Sequence, residues 1–426
     1  MAQRPTKALI LAAGMSTRMK SARSKVLHEV CGKPMLAYVL DACREAGIGD
    51  LLVVVGHARD QVMEAFADAE DITWVVQEPQ QGTAHAVMVA RESLEGFDGD
   101  LVVLVGDAPM LRAETLTILL ETHRRESADV TLVTAMLDDP KWFGRIVRDA
   151  EGNVERIVEA GDAGEEERAI REVNPSFYAF RWPALDATLD RITNENAKGE
   201  YYLTDAIELL IQGGAEATAV AAAMPDEVQA VNSREDLALV TDLMRRRILK
   251  HLMDEGVTIE APAGIHVDHD VTIGADTVIR AGTVIEGPTR IGPRCQIGPL
   301  AHLRPGTVLE EGVEVGAYVE TKNAHLGPDV CARHHVYLGD CEVGARTNIG
   351  AGVLTAHSDG GEKYKIKIGA DASIGAGTIL VAPTSVGDGG RTGAGSVVTR
   401  AHPVPPGATY VGVPARPYEP KPRETE

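Results

Sequence analysis

The sequence predicts two folds in series: a doubly wound α/β domain, then a parallel β-helix wound from six-residue repeats. Three patterns carry that reading. Aliphatic residues recur at every sixth position over long runs between Ile273 and Val398, a period that fits neither an α-helix nor an alternating strand. Short apolar runs alternate with helical spacing from Lys7 to Val105, the rhythm of a parallel sheet covered by helices. Between them, Ser233 to Asp254 keeps apolar residues at helical spacing and reads as a linking helix. The expected division is 1–232, a linker over 233–256, a solenoid over 257–416 and a disordered, proline- and charge-rich tail over 417–426.

Taken in order, Lys7 to Ala13 reads as a buried parallel strand. Gly14-Met15-Ser16-Thr17-Arg18-Met19 and Lys25 follow it. Small residues after a strand let backbone N–H groups approach a phosphate, and Arg18 and Lys25 add charge. Alone, this stretch reads equally as an ordinary surface turn beside two basic residues. A helix over 35–46, a strand over 51–55, a strand over 74–77, a helix over 84–92 and a strand over 101–105 complete the alternation. Ligands of such sheets sit at the carboxyl ends of strands. Three points mark those ends: Gln77 to Thr83, Gly106-Asp107, and Asn232 further on. An aspartate there is often a turn residue; beside phosphates it becomes a candidate magnesium ligand.

The linker carries Leu237, Val240, Met244, Ile248 and Leu252 at helical spacing, and Arg245-Arg246-Arg247, read as a solvated face or a domain contact. In the solenoid the inward series runs Ile273, Ile279, Ile285, Ile291, Ile297, Leu303, Leu309, Val315, Thr321. After a five-residue step it resumes at Leu326, Ala332 and Leu338, then steps again to Val343, Ile349 and Thr355. An insertion over 358–367 precedes Ile368, Ile374, Leu380, Val386, Thr392 and Val398. Glycine follows many of these, as at Gly274 and Gly350, where it would let the chain turn a tight corner.

Composition narrows the function. With 63 acidic against 42 basic residues, the net charge of −21 argues against binding nucleic-acid backbone. The five cysteines form no C-x-x-C pair and read as reduced thiols. No stretch is apolar enough to span a membrane, and the N-terminus lacks a signal-peptide core, so a cytoplasmic protein is expected.

The six-residue repeat resembles the hexapeptide acyltransferases, a resemblance that implies a left-handed β-helix packed into a homotrimer, with acyl-donor clefts between subunits. The first domain resembles the sugar-1-phosphate nucleotidyltransferases. The match rests on L-A-A-G-x-x-T-R-M at Leu11–Met19, on Lys25 in S-K-V-L, and on Gln77, Gln80, Gly82-Thr83 and Gly106-Asp107. It extends to Phe143-Gly144-Arg145-Ile146, Ile157-Val158-Glu159, Asn174, the run G-E-Y-Y-L-T-D at Gly199–Asp205, and Val231-Asn232. Joined, the two halves resemble the bacterial bifunctional N-acetylglucosamine-1-phosphate uridyltransferase / glucosamine-1-phosphate acetyltransferases.

On matching positions, the resemblance implies that Leu11, Ala12, Ala13, Gly14, Gln77, Gln80, Gly82 and Thr83 hold UTP. Arg18 and Lys25 would neutralise its phosphates, Asp107 and Asn232 would hold Mg2+, and Gly144, Glu159 and Asn174 would grip the sugar 1-phosphate. Attack of a phosphate oxygen on the α-phosphorus needs positioning and charge balance more than a nucleophilic triad. The second site matches through L-R-P-G at Leu303–Gly306, V-E-x-K at Val319–Lys322, H-x-x-Y-L-G-D at His334–Asp340 and N-I-G-A-G at Asn348–Gly352. There Arg304, Lys322 and Lys363 would take the sugar phosphate, Tyr337 and Asn348 its hydroxyls, and His334 the proton lost as the amine attacks acetyl-CoA. Ala351, Ala376 and Ala394 would line the coenzyme A cleft.

Some residues depart from the pattern: Ser16, Ala160-Gly161 and Pro175-Ser176 in the first half, His357-Ser358, Ala376 and Val411 in the second. They leave open which sugar is preferred and how the acyl donor is held. Two other readings also stay open: a nucleotidyltransferase whose β-helix is only an oligomerisation or regulatory scaffold, and a non-catalytic assembly subunit.

Overall fold

The structure, a computed structural model, describes residues 4–14, 17–358, 360 and 362–418 and divides into two compact units, Met1–Leu243 and Met244–Glu426. Ser16 and residue 359 lie outside the described residues.

The first unit is built on a ten-stranded sheet among the described residues. Its strands are β1 Thr6–Leu11, β2 Asp50–Val55, β3 Ile72–Val76, β4 Asp100–Val105 and β5 Val130–Met136. They continue with β6 Gly144–Arg148, β7 Val154–Val158, β8 Glu172–Asn174, β9 Tyr178–Arg181 and β10 Ala217–Ala221. The order is β3-β2-β1-β4-β9-β5-β8-β6-β7, with β10 beside β5. The first four strands are mutually parallel, and β9 runs antiparallel between β4 and β5. Both faces are covered, so β1, β2 and β4 are nearly uninterrupted apolar runs; Leu9, Val53 and Val103 are fully buried. The helix expected over 84–92 ends at Met88, and a 3-10 turn follows at Glu92–Leu94. The reason is a tightening of the backbone: Ala90 N, Arg91 N and Leu94 N each donate to a carbonyl three residues back, at 3.0–3.2 Å.

The second unit is a parallel β-helix. Every inward position named from the six-residue series is buried, from Ile273 at 9% exposed through Ile297 and Leu338 at 0% to Val398 at 0%. Strands pair in parallel with those one coil away, as Ile279 with Ile297 and Ile285 with Leu303. Stacking begins before Ile273, with Ile259 on Ile279 and Val267 on Ile285. That first coil escapes the periodic reading because eight residues, not six, separate Ile259 from Val267.

The glycines after inward residues are required for another reason than the one expected. Gly274 and Gly350 are not in the left-handed region; a Cβ there would lie 2.5 Å from Pro293 N and 2.6 Å from Ile374 O, on the next coil. The left-handed residue comes two positions later, at Asp276 (φ 63) and Gly352 (φ 74). Close approach of coils selects the glycine, and the corner is turned by its neighbour. Two pairs of buried threonines satisfy each other across coils: Thr307 Oγ1 meets Thr321 Oγ1 at 2.9 Å, and Thr378 Oγ1 meets Thr392 Oγ1 at 2.9 Å.

The linking helix, Arg234–Asp254, divides between the units. In its first half Arg234 Nε donates to Met19 O at 3.2 Å; in its second, Leu249 and Leu252 enter the solenoid core. Arg245, read as solvated or as a domain contact, caps the turn Pro262–Gly264 within its own unit, with Nη1 donating to Pro262 O and Ala263 O at 2.8 and 2.9 Å. The tail expected to be disordered from Pro417 begins ordered. Arg416–Pro417 pairs antiparallel with Tyr410–Val411, and Tyr418 N donates to Thr409 O at 2.8 Å. Residues 419–426 lie outside the described residues.

Candidate active sites

In the first unit the carboxyl ends of the parallel strands open into two cavities. One, of about 390 Å³, is lined by Leu11, Ala12, Ala13, Gly14, Lys25, Gln77, Gln80, Gly82 and Thr83 among others. The second, of about 570 Å³, is lined by Arg18, Gly144, Glu159, Asn174 and Asn232 among others. Val105 and Asp107 line both. Every site residue expected in this half therefore meets one of two cavities that share Asp107 as a wall.

The backbone explains the convergence. Ala12 N donates to Val54 O at 2.9 Å and Gly106 N to Leu11 O at 2.9 Å, so the loops after β1 and β4 leave the sheet together. Val231 N donates to Asp107 O at 2.9 Å, which brings Asn232 beside the end of β4 from 125 residues away. Asn232 is then fixed from behind. Its N–H donates to Asp236 Oδ2 at 3.0 Å, and the same carboxylate accepts from Ser233 N and Oγ at 2.8 and 2.9 Å, capping the linking helix. Gln77 Nε2 donates to Gly82 O at 3.0 Å. Gly82 sits at φ 111, and a Cβ there would meet Tyr201 N at 2.8 Å, so only glycine fits. Thr83 Oγ1 accepts from Leu203 N at 2.9 Å and ties the G-E-Y-Y-L-T-D run to this wall.

In the second cavity, Asn174 is 3% exposed, donates through Nδ2 to Tyr178 Oη at 2.7 Å and accepts from Ser176 N at 3.1 Å. Burial raises the Glu159 carboxyl above its usual range; the positive charge of Lys198 and a bond from Thr204 Oγ1 at 3.3 Å oppose this. Burial also pushes Asp205 up to about 6, reinforced by Glu208, Glu159 and Asp162. Sequence reasoning missed Lys198 and Trp142, which line the same cavity. Lys198 lies directly before the G-E-Y-Y-L-T-D run, a position that would have flagged it; Trp142 stacks on Phe143 with centroids 4.2 Å apart, a packing no local pattern announces.

A divalent ion fits the residues present. The Lys25 ammonium contacts both Asp107 Oδ2 and Asn232 Oδ1, the latter at 3.2 Å, so two oxygens converge on one cation-sized point. Among the described residues no cluster of three acidic, His or Cys side chains is arranged for a metal. Two protein oxygens completed by substrate oxygens are the shell magnesium favours.

In the second unit the site residues sort by corner. Pairing of Leu303 with Thr321, and of Lys322 with Gly339, stacks Arg304, Lys322 and the Tyr337–Gly339 strand on successive coils. Arg304 Nη1 donates to Glu320 Oε1 at 2.9 Å. His334 is exposed at the preceding corner. Backbone bonds from Gly352 to His335 O, Gly377 to Ala351 O and Gly395 to Ala376 O, at 2.7–2.8 Å, continue that corner coil by coil. His334, Ala351, Ala376 and Ala394 thus form one column. At about 4.8 Å per coil it runs about 14 Å, a track for an elongated donor. Asn348 pairs with Cys331 and lies on the face across this corner from Tyr337, while Lys363 is exposed on the inserted loop. No one face of a single chain carries all of these residues.

One network here was not anticipated. Asn323, Asp340 and His357 lie 17 residues apart, one short coil each. Asn323 Nδ2 donates to Asp340 Oδ1 at 2.5 Å, and His357 Nε2 lies 3.2 Å from Asp340 Oδ2. The His357 ring stacks on Tyr337 with centroids 5.8 Å apart, and Gly339 leaves room for both. Coil spacing was the available signal.

Comparison with known proteins agrees with both halves. The MobA-like NTP transferase domain matches residues 8–173, and the bacterial transferase hexapeptide, six repeats, matches residues 288–323. Among similar proteins, the bifunctional protein GlmU of Trichlorobacter lovleyi is 42% identical over 430 residues, 93% of this chain and 94% of that one. That of a Geobacillus species is 43% identical over 425 residues, 92% of each. That of Thermobifida fusca is 41% identical over 448 residues, 96% of this chain and 92% of its own.

Proposed function

The chain belongs to the GlmU family of bifunctional proteins, and from that premise and the two sites we propose how the work is divided along it. It is a bifunctional transferase of UDP-N-acetylglucosamine synthesis. One activity moves uridylyl from UTP to N-acetylglucosamine 1-phosphate and releases pyrophosphate; the other acetylates glucosamine 1-phosphate with acetyl-CoA.

The observation that carries the first assignment is the placement of Asp107 in the wall common to two cavities. UTP occupies the cavity of Leu11–Gly14, Gln77 and Gly82. The sugar 1-phosphate occupies that of Gly144, Glu159 and Asn174, so its phosphate meets the α-phosphorus beside Asp107. Asp107 and Asn232 would hold Mg2+, which when bound supplies charge neutralisation at the phosphates. Arg18, lining the sugar-side cavity, and Lys25, lining the nucleotide-side one, balance the remaining charge, and the fixed backbone holds the reactants in line.

In the second unit His334 accepts the proton of the attacking amine at the head of the Ala351–Ala376–Ala394 column. Arg304, Lys322 and Lys363 take the sugar phosphate, and Tyr337 and Asn348 take its hydroxyls. A homotrimer is supported by the split of these residues over two faces, since a second copy would complete the cleft. UTP and acetyl-CoA as substrates support a cytoplasmic enzyme; no helix among the described residues is long and apolar enough to cross a membrane.

The decisive assay supplies UTP, magnesium and a panel of sugar 1-phosphates, with and without acetyl-CoA, to the full chain and to Asp107→Ala. The variant should lose uridylyl transfer and keep acetyl transfer close to wild type. Equal loss of both in a folded protein contradicts the division.

A further inference from the structure

The two oxygens assigned to magnesium already face a cation. The Lys25 ammonium donates to Asp107 Oδ2 and, at 3.2 Å, to Asn232 Oδ1. The Lys25 and Asp107 side chains are each 14% exposed, so water screens the pair poorly. An ammonium and a divalent ion cannot both stand there, because like charges at such separations repel strongly in a shielded site. The lysine has room to leave. It begins the short turn Lys25–Leu27, whose entry is held by Ser24 N donating to Gln61 Oε1 at 3.2 Å, so the backbone is fixed and the four-carbon stem is the movable part. That side chain also lines the nucleotide-side cavity.

We propose that Lys25 is a place-holder for the metal. In the free enzyme its ammonium neutralises Asp107 and bridges to Asn232. The divalent ion enters by exchange, and the ammonium swings to the phosphates of the nucleotide in the cavity it already lines. The proposal rests on the magnesium assignment above and adds a consequence to it. A bare divalent ion binds weakly, because it must expel a paired lysine with nowhere better to go. A metal–nucleotide complex brings the oxygens that receive the lysine, so metal and nucleotide bind cooperatively.

Binding of Mn2+ to the full chain without nucleotide, read from the spin-resonance signal of the free ion, tests this. Lys25→Met keeps most of the stem and removes the charge; Lys25→Gln serves as a second variant, and thermal unfolding checks that each is folded. Both should bind Mn2+ more tightly than wild type by roughly tenfold, within the range usual for coupled ligands. Adding Asp107→Asn should abolish that gain. Unchanged or weaker Mn2+ binding in the two lysine variants overturns the exchange, and so does a gain that survives Asp107→Asn. The metal assignment has its own control: Asp107→Asn in the otherwise wild-type chain should weaken binding of Mn2+ with UTP. If it does not, that assignment fails, whatever the lysine variants show.

Discussion

Two histidines of the solenoid illustrate how residue type and residue role diverge. His334 stands exposed at a corner, in column with the alanines proposed to line the donor track. His357 is half-buried, with Nε2 3.2 Å from Asp340 Oδ2 and Nδ1 3.3 Å from Thr355 O, so both ring nitrogens face protein acceptors. A general base must reach its substrate, and it contributes typically ~10²–10⁴-fold. His334→Ala should therefore lower acetyl transfer by about that factor and spare uridylyl transfer, while His335→Ala leaves both near wild type, in an assay of thiol release from acetyl-CoA. A wild-type rate in His334→Ala removes it from the mechanism. Asp205 carries a second prediction. Its folded carboxyl holds a proton to about pH 6, mainly through burial; an unfolded aspartate releases it near ~4. Between those values the folded chain binds more protons, so stability falls as pH rises through that window. Since Asp205 is only partly buried, a discounted gain of about 1 kcal/mol is expected for Asp205→Asn at pH 7.5, which moves Tm up by about 2–4 °C. The difference should close near pH 4; a gap that is equal at both pH values would show that ionisation of Asp205 is not its cause.

At the scale of the element, the six-residue period was legible because each coil repeats the same burial problem, and a repeated problem leaves a repeated signature. The reason for the glycines was not legible. Gly274 is selected by the backbone of the next coil, 2.5 Å from where its Cβ would stand, and Gly407 by its own φ of 67, with open space around it. A substitution separates the two causes. Gly407→Ala should cost about 1–2 kcal/mol, the strain of a left-handed residue. Gly274→Ala forces two coils apart and should cost about 3 kcal/mol or more, the upper end for overpacking into an unyielding neighbour. Thermal unfolding of the two variants side by side measures this; equal shifts in Tm would mean that the coils yield more easily than the geometry indicates. In the first unit, the four mutually parallel strands β1 to β4 and the helix near 35–46 were readable from apolar runs; the other six strands of the sheet were not read from the sequence. The early end of the helix at Met88 was not, since it depends on which carbonyls accept bonds rather than on propensity.

At the scale of the molecule, the residues proposed for acetyl transfer lie on two faces of one solenoid, and the proposed trimer would bring the two faces together. The chain should sediment as a homotrimer at micromolar concentration, and a stable monomer that still transfers acetyl groups would be incompatible with that picture. The order of folds along the chain, the βαβ rhythm and the inward series from Ile273 to Val398 were written in local patterns, because apolar spacing reports directly on burial; the chemistry proposed for both sites was implied by the family resemblance. Other features had no local trace. The convergence of Lys25, Asp107 and Asn232 on one point, the single column shared by His334 and three alanines, and the 17-residue register that joins Asn323, Asp340 and His357 all join positions distant along the chain. The physical reason is the same in each case. Spacing along a chain determines which residues are buried, whereas only the stacking of strands and coils determines which of them become neighbours.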